Sequence, residues 1–174
     1  TGVEMHRFYA GEKYLAFLPD GKSFLTRGGG TSGESYGKIF DIATGEMIRA
    51  FRGGRAVLSS DGNIVLTDAG GQMWHTNTGE LIREFAPLRS GSVWDIDITR
   101  DGTRILLGCT GAAYLDELSE KEGRVELRRF SFGGSERFSH VSIAPDASKV
   151  ATVVGNTAYL WDISDLAAGV KDEA

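Results

Sequence analysis

A twelve-residue phrase occurs twice in this chain, as "FDIATGEMIRAF" at 40–51 and as "WHTNTGELIREF" at 74–85. Both copies place an aromatic residue first, then Thr-Gly-Glu, an apolar pair, an Arg and a final Phe. An Asp-centred turn signal also recurs, and its aspartates are separated by 41, 40 and 45 residues: Asp20, Asp61, Asp101 and Asp146. A repeat of this period indicates an array of similar units, each of which shares a core with its neighbour.

Short runs rich in β-branched and aromatic residues flank each turn, and their apolar spacing is close to two, which favours strands over helices. Asp-Gly supplies the backbone conformations that a tight hairpin needs. Per period, the predicted strands are 14–17, 23–26, 38–41 and 46–51; 55–58, 63–67, 72–75 and 80–85; 93–98, 104–107, 113–116 and 124–130; 138–143, 149–154 and 158–162. Four antiparallel strands per period predict an all-β fold built from the blades of a β-propeller.

Two stretches, "AFLPDGKSFLTRGG" followed by "GKIFDIATGE", and "IAPDASKVATVVGNTAYLWDIS", resemble the repeats of the WD40 β-propeller family. The family's Gly-His pair is missing from every unit, and Asp68 alone matches its Asp before the third strand, so the repeats are degenerate. The aromatic-Asp position is interpreted as Phe40-Asp41, Trp74-His75, Leu115-Asp116 and Trp161-Asp162. The resemblance implies a propeller that acts as a protein-interaction scaffold.

The predicted propeller spans 1–163 and is followed by a polar tail at 164–174. Its units are assigned as 9–51, 52–85, 86–132 and 133–163, with an extra outer strand at 1–8. Residues 1–8 repeat the outer-strand phrase without a blade before them, and the last unit has three strands, so one blade is split across the termini. Four explanations stay open: closure within one chain, two copies forming an eight-blade ring, a longer propeller, or a partner that supplies blades.

No set of residues predicts catalysis, a cofactor or a metal. The three histidines lack metal-ligand spacing, and one cysteine cannot form an internal disulfide. The glycine-rich stretch 28–33 lacks the phosphate-loop pattern. It is predicted to lie in a long loop at 27–37, either as a contact site or as a tolerated insertion. Asp95 and Asp97 are expected to have a hydrogen-bonded structural role, with channel lining as the alternative.

Loops on one face of the predicted blades carry cations and aromatics, the residue types that dominate protein contacts. The candidate partner-binding residues are Lys13, Arg27, Tyr36, Arg55, Arg89, Trp94 and Arg137; an ordinary solvated rim is the alternative. The net charge of −5 disfavours nucleic acid and anionic membranes as partners. We expect a non-catalytic, cytoplasmic interaction scaffold, or alternatively an assembly subunit that completes a larger ring; part of a propeller enzyme is the least favoured option.

Overall fold

A computed structural model describes residues 2, 4, 6, 14–29, 35–53, 56–67, 71–85, 93–119 and 123–167. The chain forms two compact units, Thr1–Pro87 and Leu88–Ala174. Each unit contains two small antiparallel sheets whose strands follow one another in chain order. The fold is all-β and of the β-propeller type, as predicted; the helical part of the described residues is one turn, α1 (Ser164–Ala167).

The four sheets are called blades 1 to 4 in chain order. Blade 1 contains β1 (Tyr14–Phe17), β2 (Ser23–Gly29), β3 (Ser35–Asp41) and β4 (Met47–Arg52). Blade 2 contains β5 (Ala56–Leu58), β6 (Ile64–Thr67), β7 (Gln72–His75) and β8 (Leu81–Glu84). Blade 3 contains β9 (Val93–Ile98), β10 (Arg104–Cys109), β11 (Ala113–Ser119) and β12 (Gly123–Phe130). Blade 4 contains β13 (Phe138–Ile143), β14 (Lys149–Val154) and β15 (Thr157–Asp162). Among the described residues blade 4 has three strands, which the sequence predicts.

The turn between the first two strands is built identically in all four blades. In each, a carboxylate oxygen of the recurring aspartate accepts the N–H of the residue two positions later. In blade 1 this bond joins Asp20 and Lys22 at 2.8 Å. The following residue has a positive φ, which glycine adopts readily; in blade 4 it is Ala147, at φ 53°. The recurring Asp-Gly signal therefore marks one turn geometry.

The repeated phrase forms the turn between the third and outer strands. Gly45 donates its N–H to the Asp41 carbonyl at 3.0 Å, and Gly79 donates to the His75 carbonyl at 2.8 Å. A threonine hydroxyl inside each turn accepts the N–H of the glutamate two residues later, at 3.2 Å in both copies. The phrase is thus repeated because two blades make the same hydrogen-bonded turn.

An arginine of the outer strand joins each of two blades to the next. Arg49, in the first copy of the phrase, donates to the carbonyls of Thr78 at 2.5 Å and Asn77 at 2.7 Å, in the second copy's turn. In the second unit, Arg128 donates to the carbonyl of Asp162 at 3.3 Å. We call these contacts the arginine joints. Each joint links the outer strand of one blade to the end of the third strand, or the turn after it, in the next blade.

The apolar core of each unit lies between its two blades. In the first unit Leu25, Ile39 and Phe51 of blade 1 pack with Ala56 and Val65 of blade 2. The second unit has the same arrangement, in which blade 3 side chains pack against blade 4: Leu106, Leu115, Phe130, Phe138, Val141, Ile143 and Val150. Neighbouring blades therefore bury each other's flat faces, which no single blade can do alone.

The strand register corrects one sequence interpretation. Asp116, rather than Leu115, occupies the aromatic position of blade 3, because it pairs with Ile105 as Phe40 pairs with Phe24. The backbone irregularity between the third and outer strands supports this assignment. It lies before Phe40, before Trp74 and before Asp116. Blade 3 therefore has a carboxylate where the repeat places an aromatic ring, and Leu115-Asp116 is not the equivalent of Trp161-Asp162.

The predicted long loop at 27–37 is also wrong at both ends. Arg27 pairs with Gly37, and Gly29 pairs with Ser35, so β2 and β3 extend into it. Residues 30–34 lie outside the described residues, as do most of the predicted outer strand 1–8 and the tail beyond Ala167. The assignments of 1–8 as an outer strand and of 164–174 as a tail stay predictions.

Candidate functional site

Two residues of the predicted partner-binding face, Trp94 and Arg137, meet in the second unit. The Arg137 guanidinium carbon lies 3.4 Å from the centroid of the Trp94 ring. The Trp94 indole N–H donates to the Thr110 hydroxyl at 3.0 Å. An isolated backbone bridge pairs Thr110 with Arg137, so the residue that holds the indole also positions the arginine. We call this group the Trp94–Arg137 surface.

This surface can recognise a partner by stacking and by hydrogen bonding. A guanidinium stacked on an indole gains cation–π attraction, while its N–H groups point outward in its own plane. Arg137 is exposed and Trp94 is partly exposed. Outward N–H donors fit carboxylates or backbone carbonyls of a bound segment.

Two aspartates of β9, the strand that carries Trp94, fasten blade 3 to blade 4. Asp95 accepts the backbone N–H of Val141 at 3.0 Å. Asp97 accepts the N–H of Ile143 at 2.7 Å and the hydroxyl of Ser142 at 3.1 Å. The innermost strands β9 and β13 are thus linked by carboxylates that receive backbone donors of the neighbouring strand. This is the hydrogen-bonded structural role that the sequence predicts.

Burial raises the pKa of Asp97 above its usual value, although hydrogen bonds from Ile143 and Ile98 act in the opposite direction. The nearby Asp95 adds to the rise through charge repulsion. The exposed imidazole of His140 lies 3.6 Å from the Asp95 carboxylate, measured from Nδ1. His140 is therefore a residue of strand β13 that faces an aspartate of β9.

The structure describes the other five predicted face residues only in part or not at all. Lys13, Arg55 and Arg89 lie outside the described residues. Arg27 and Tyr36 have a described backbone, in which Arg27 pairs with Gly37 and Tyr36 with Gly28, and their side chains are not described. A continuous basic face therefore stays a prediction.

Thr110 is the member of the surface that the sequence did not reveal. It follows β10 and belongs to none of the repeated signals, and only its bridge to Arg137 brings it to the indole. The arginine joints were visible as the Arg of the repeated phrase. Their partners were not, because a backbone carbonyl has no side-chain signature.

Among the described residues, no group of three or more His, Cys, Asp or Glu side chains is placed to hold a metal ion. Within the same part of the chain, no helix has the length and apolar character needed to cross a bilayer. Cys109 is buried and is not in a disulfide.

No protein-family model matches the chain, and no curated protein matches it. Its fold is similar to the crystal structure of a functionally unknown protein from Desulfotomaculum acetoxidans DSM 771. The TM-score is 0.59 at 16% sequence identity, and the match covers 87% of this chain and 51% of that chain. The chain thus spans about half the length of that solved structure. At this identity the similarity shows the fold alone.

Proposed function

We propose that the chain is a non-catalytic protein-interaction scaffold of the WD40-like type, which binds a protein partner through the Trp94–Arg137 surface. The observation that carries the proposal is the guanidinium stacked 3.4 Å over an indole that is itself held by Thr110. Arginine and tryptophan are the side chains that most often dominate the energy of protein interfaces.

Rigid display is the mechanism. The surface stands on β9 and β13, which the Asp95 and Asp97 carboxylates tie together. A side chain that is already ordered loses little conformational entropy when it binds, so more of the contact energy appears as affinity. The net charge of −5 favours a protein over nucleic acid or an anionic membrane. A single cysteine favours a reducing compartment such as the cytoplasm.

The test is quantitative capture of partners from an extract with the purified chain as bait. Arg137→Glu should weaken the main captured partner at least about tenfold, which corresponds to roughly 1.4 kcal/mol. Arg129→Glu is the matched control, because Arg129 is also an exposed arginine near an aromatic ring in the same unit. Its guanidinium carbon, on β12, lies 5.7 Å from the ring centroid of Tyr114 on β11. Equal capture by both variants would reject the Trp94–Arg137 surface.

A second candidate function, an assembly subunit, is favoured by a different observation. Two apolar side chains on the flat faces of terminal blades are largely exposed, Phe17 of blade 1 and Leu160 of blade 4. Faces of this kind are buried by a neighbouring blade elsewhere in the chain.

A further inference from the structure

The Trp94–Arg137 surface presents a cation whose N–H donors are unused within the described part of the chain. The Arg137 guanidinium is stacked on the Trp94 ring, but it makes no hydrogen bond or ion pair with a described residue. Other arginines use their donors inside the fold: Arg49 donates to two backbone carbonyls, and Arg128 donates to the Asp165 carboxylate. Arg137 thus keeps its side-chain donors available for a ligand.

Two carboxylates that are close to this cation along the strands are directed elsewhere. Glu136 directly precedes Arg137, yet its carboxylate lies over Gly134, where an added Cβ would overlap it. The missing side chain of Gly134 leaves the room for that carboxylate. Asp95, on β9, accepts the backbone N–H of Val141. Neither carboxylate forms an ion pair with the Arg137 guanidinium, so its charge is not neutralised by its neighbours in these strands.

The backbone around Arg137 is fixed by two connections of the second unit. Thr110 and Gly111 belong to the turn between β10 and β11, and Glu136 and Arg137 belong to the connection between β12 and β13. The Gly111 N–H donates to the Glu136 carbonyl at 2.7 Å, and the backbone bridge joins Thr110 to Arg137. Gly111 has a φ of 84°, which a residue with a side chain rarely adopts. The guanidinium is therefore held in place from both its backbone and its stacked face, so a ligand needs to order little.

The chemistry of one stacked guanidinium favours a carboxylate as its ligand. The planar fork of an arginine matches the two oxygens of a carboxylate, and such charge-assisted bonds are about twice as strong as bonds to a neutral carbonyl. Sites for phosphorylated segments use clusters of arginines. As its described residues define it, the surface holds one cation, and the basic residue farther along β13, His140, faces Asp95. A single negative charge therefore suits the surface better than a phosphate.

We propose that the Trp94–Arg137 surface binds an acidic segment of a protein partner, in which a carboxylate accepts N–H bonds from Arg137 while the Trp94 ring supports the guanidinium from one face. This inference rests on the proposed function and names the chemistry of the partner. An aspartate or glutamate side chain and a C-terminal carboxylate supply the same group, and the experiment separates these two sources.

Two-dimensional NMR of the ¹⁵N-labelled chain tests the proposal, because the indole N–H signal of Trp94 reports on its own ring. The chain has three tryptophans, and Trp94→Phe identifies the signal. The probes are short Gly-Ser peptides, blocked at both ends, with Glu-Glu, Gln-Gln or phosphoserine at the centre; a fourth is the Gln-Gln peptide with a free C-terminal carboxylate. The Glu-Glu peptide should shift the Trp94 signal with a dissociation constant at least about tenfold below that of the blocked Gln-Gln peptide. Binding of the fourth peptide would add the chain end as a source of the carboxylate.

Variants of the two adjacent charged residues sharpen the test. Arg137→Gln should remove the preference for the Glu-Glu peptide, and the matched control Arg129→Gln should keep it. Glu136→Gln should lower the dissociation constant of the Glu-Glu peptide roughly twofold, because it removes a like charge beside the ligand. The indole signals of Trp74 and Trp161, whose N–H groups are bonded inside blades 2 and 4, verify that each variant is folded.

The proposal is overturned if neither carboxylate peptide moves the Trp94 signal, if the blocked Gln-Gln peptide binds as tightly as the Glu-Glu peptide, or if the phosphoserine peptide binds more tightly. It is also overturned if Arg137→Gln binds the Glu-Glu peptide like the wild type. Capture from an extract is measured separately. Capture that depends on Arg137 without binding of acidic peptides would remove this inference and leave the proposed function in place.

Discussion

Blade 1 differs from blades 2 and 4 at one pair of positions: a buried threonine on the second strand and the aromatic residue on the third strand. In blades 2 and 4 the indole N–H of Trp74 or Trp161 donates to the hydroxyl of Thr67 or Thr152, at 3.2 Å and 3.0 Å. In blade 1 the third strand has Phe40, which has no N–H to donate. The equivalent hydroxyl of Thr26 is buried without a hydrogen-bond partner.

Replacing these threonines with valine should therefore have opposite effects on stability. Thr26→Val removes a buried hydroxyl that makes no bond, and we expect the free energy of unfolding to rise by about 1 kcal/mol. Thr152→Val removes the acceptor of the Trp161 indole, and we expect a loss of about 1 kcal/mol. Urea unfolding followed by tryptophan fluorescence measures both. Destabilisation by Thr26→Val of the same size as by Thr152→Val would contradict this account.

At the scale of the strand, the arginine joint of the first unit explains why the repeated phrase has an arginine near its end. The Arg of an outer strand reaches the turn of the next blade, and glycine in that turn leaves room for it. A Cβ added at Gly79 would lie 2.6 Å from a guanidinium nitrogen of Arg49. The first copy of the phrase thus supplies the arginine of this joint, and the second copy supplies the turn that accepts it.

Arg49→Ala should lower the free energy of unfolding by about 1 kcal/mol, because the Asn77 and Thr78 carbonyls lose a charged donor. The turn is exposed, so water partly replaces the donor and the loss is modest. Arg52→Ala is the control on the same strand, where the exposed side chain should contribute little. Thermal unfolding of the two variants decides the matter; equal melting temperatures would show that the joint adds nothing to stability.

The sequence predicted strands and turns well because their signals are local. The Asp-Gly turns and the alternation around them place β9 and β13 at their predicted bounds. The shift at Asp116 was missed because register depends on pairing with Ile105 and not on composition. Thr110 was missed for a related reason: its contact with Trp94 is made across the fold.

At the scale of the whole molecule, the two units follow one rule, in which flat sheets are stable when another sheet covers them. Sequence periodicity reveals this rule, but it does not show which blade faces are covered. Leu160 and Ile39 occupy the same place in the repeat, yet one is exposed and the other is buried. Only the structure distinguishes them, because exposure depends on the neighbour and not on the residue.

The acid response is a property of the whole chain, to which aspartates in several blades contribute. Backbone hydrogen bonds from Thr44 and Ser148 hold the pKa values of Asp41 and Asp146 below the usual 3.8. The Ser164 hydroxyl does the same for the pKa of Asp162. A carboxyl whose pKa is lower in the folded state stabilises the fold above 3.8, and this contribution disappears as the pH falls through the folded-state pKa. Asp97 has the opposite sign, because its pKa is raised and its protonation favours the folded state.

Since more of these groups are lowered than raised, the free energy of unfolding should fall as the pH drops below about 4. Asp146→Asn should make that fall shallower, because an amide oxygen still accepts the Ser148 N–H while the titrating group is gone. Asp97→Asn should make it steeper, because the one opposing group named here is removed. Urea unfolding at pH 7, 4 and 3 measures all three slopes. A wild-type stability that rises on acidification, or a steeper fall in Asp146→Asn, would show that other groups dominate the acid response.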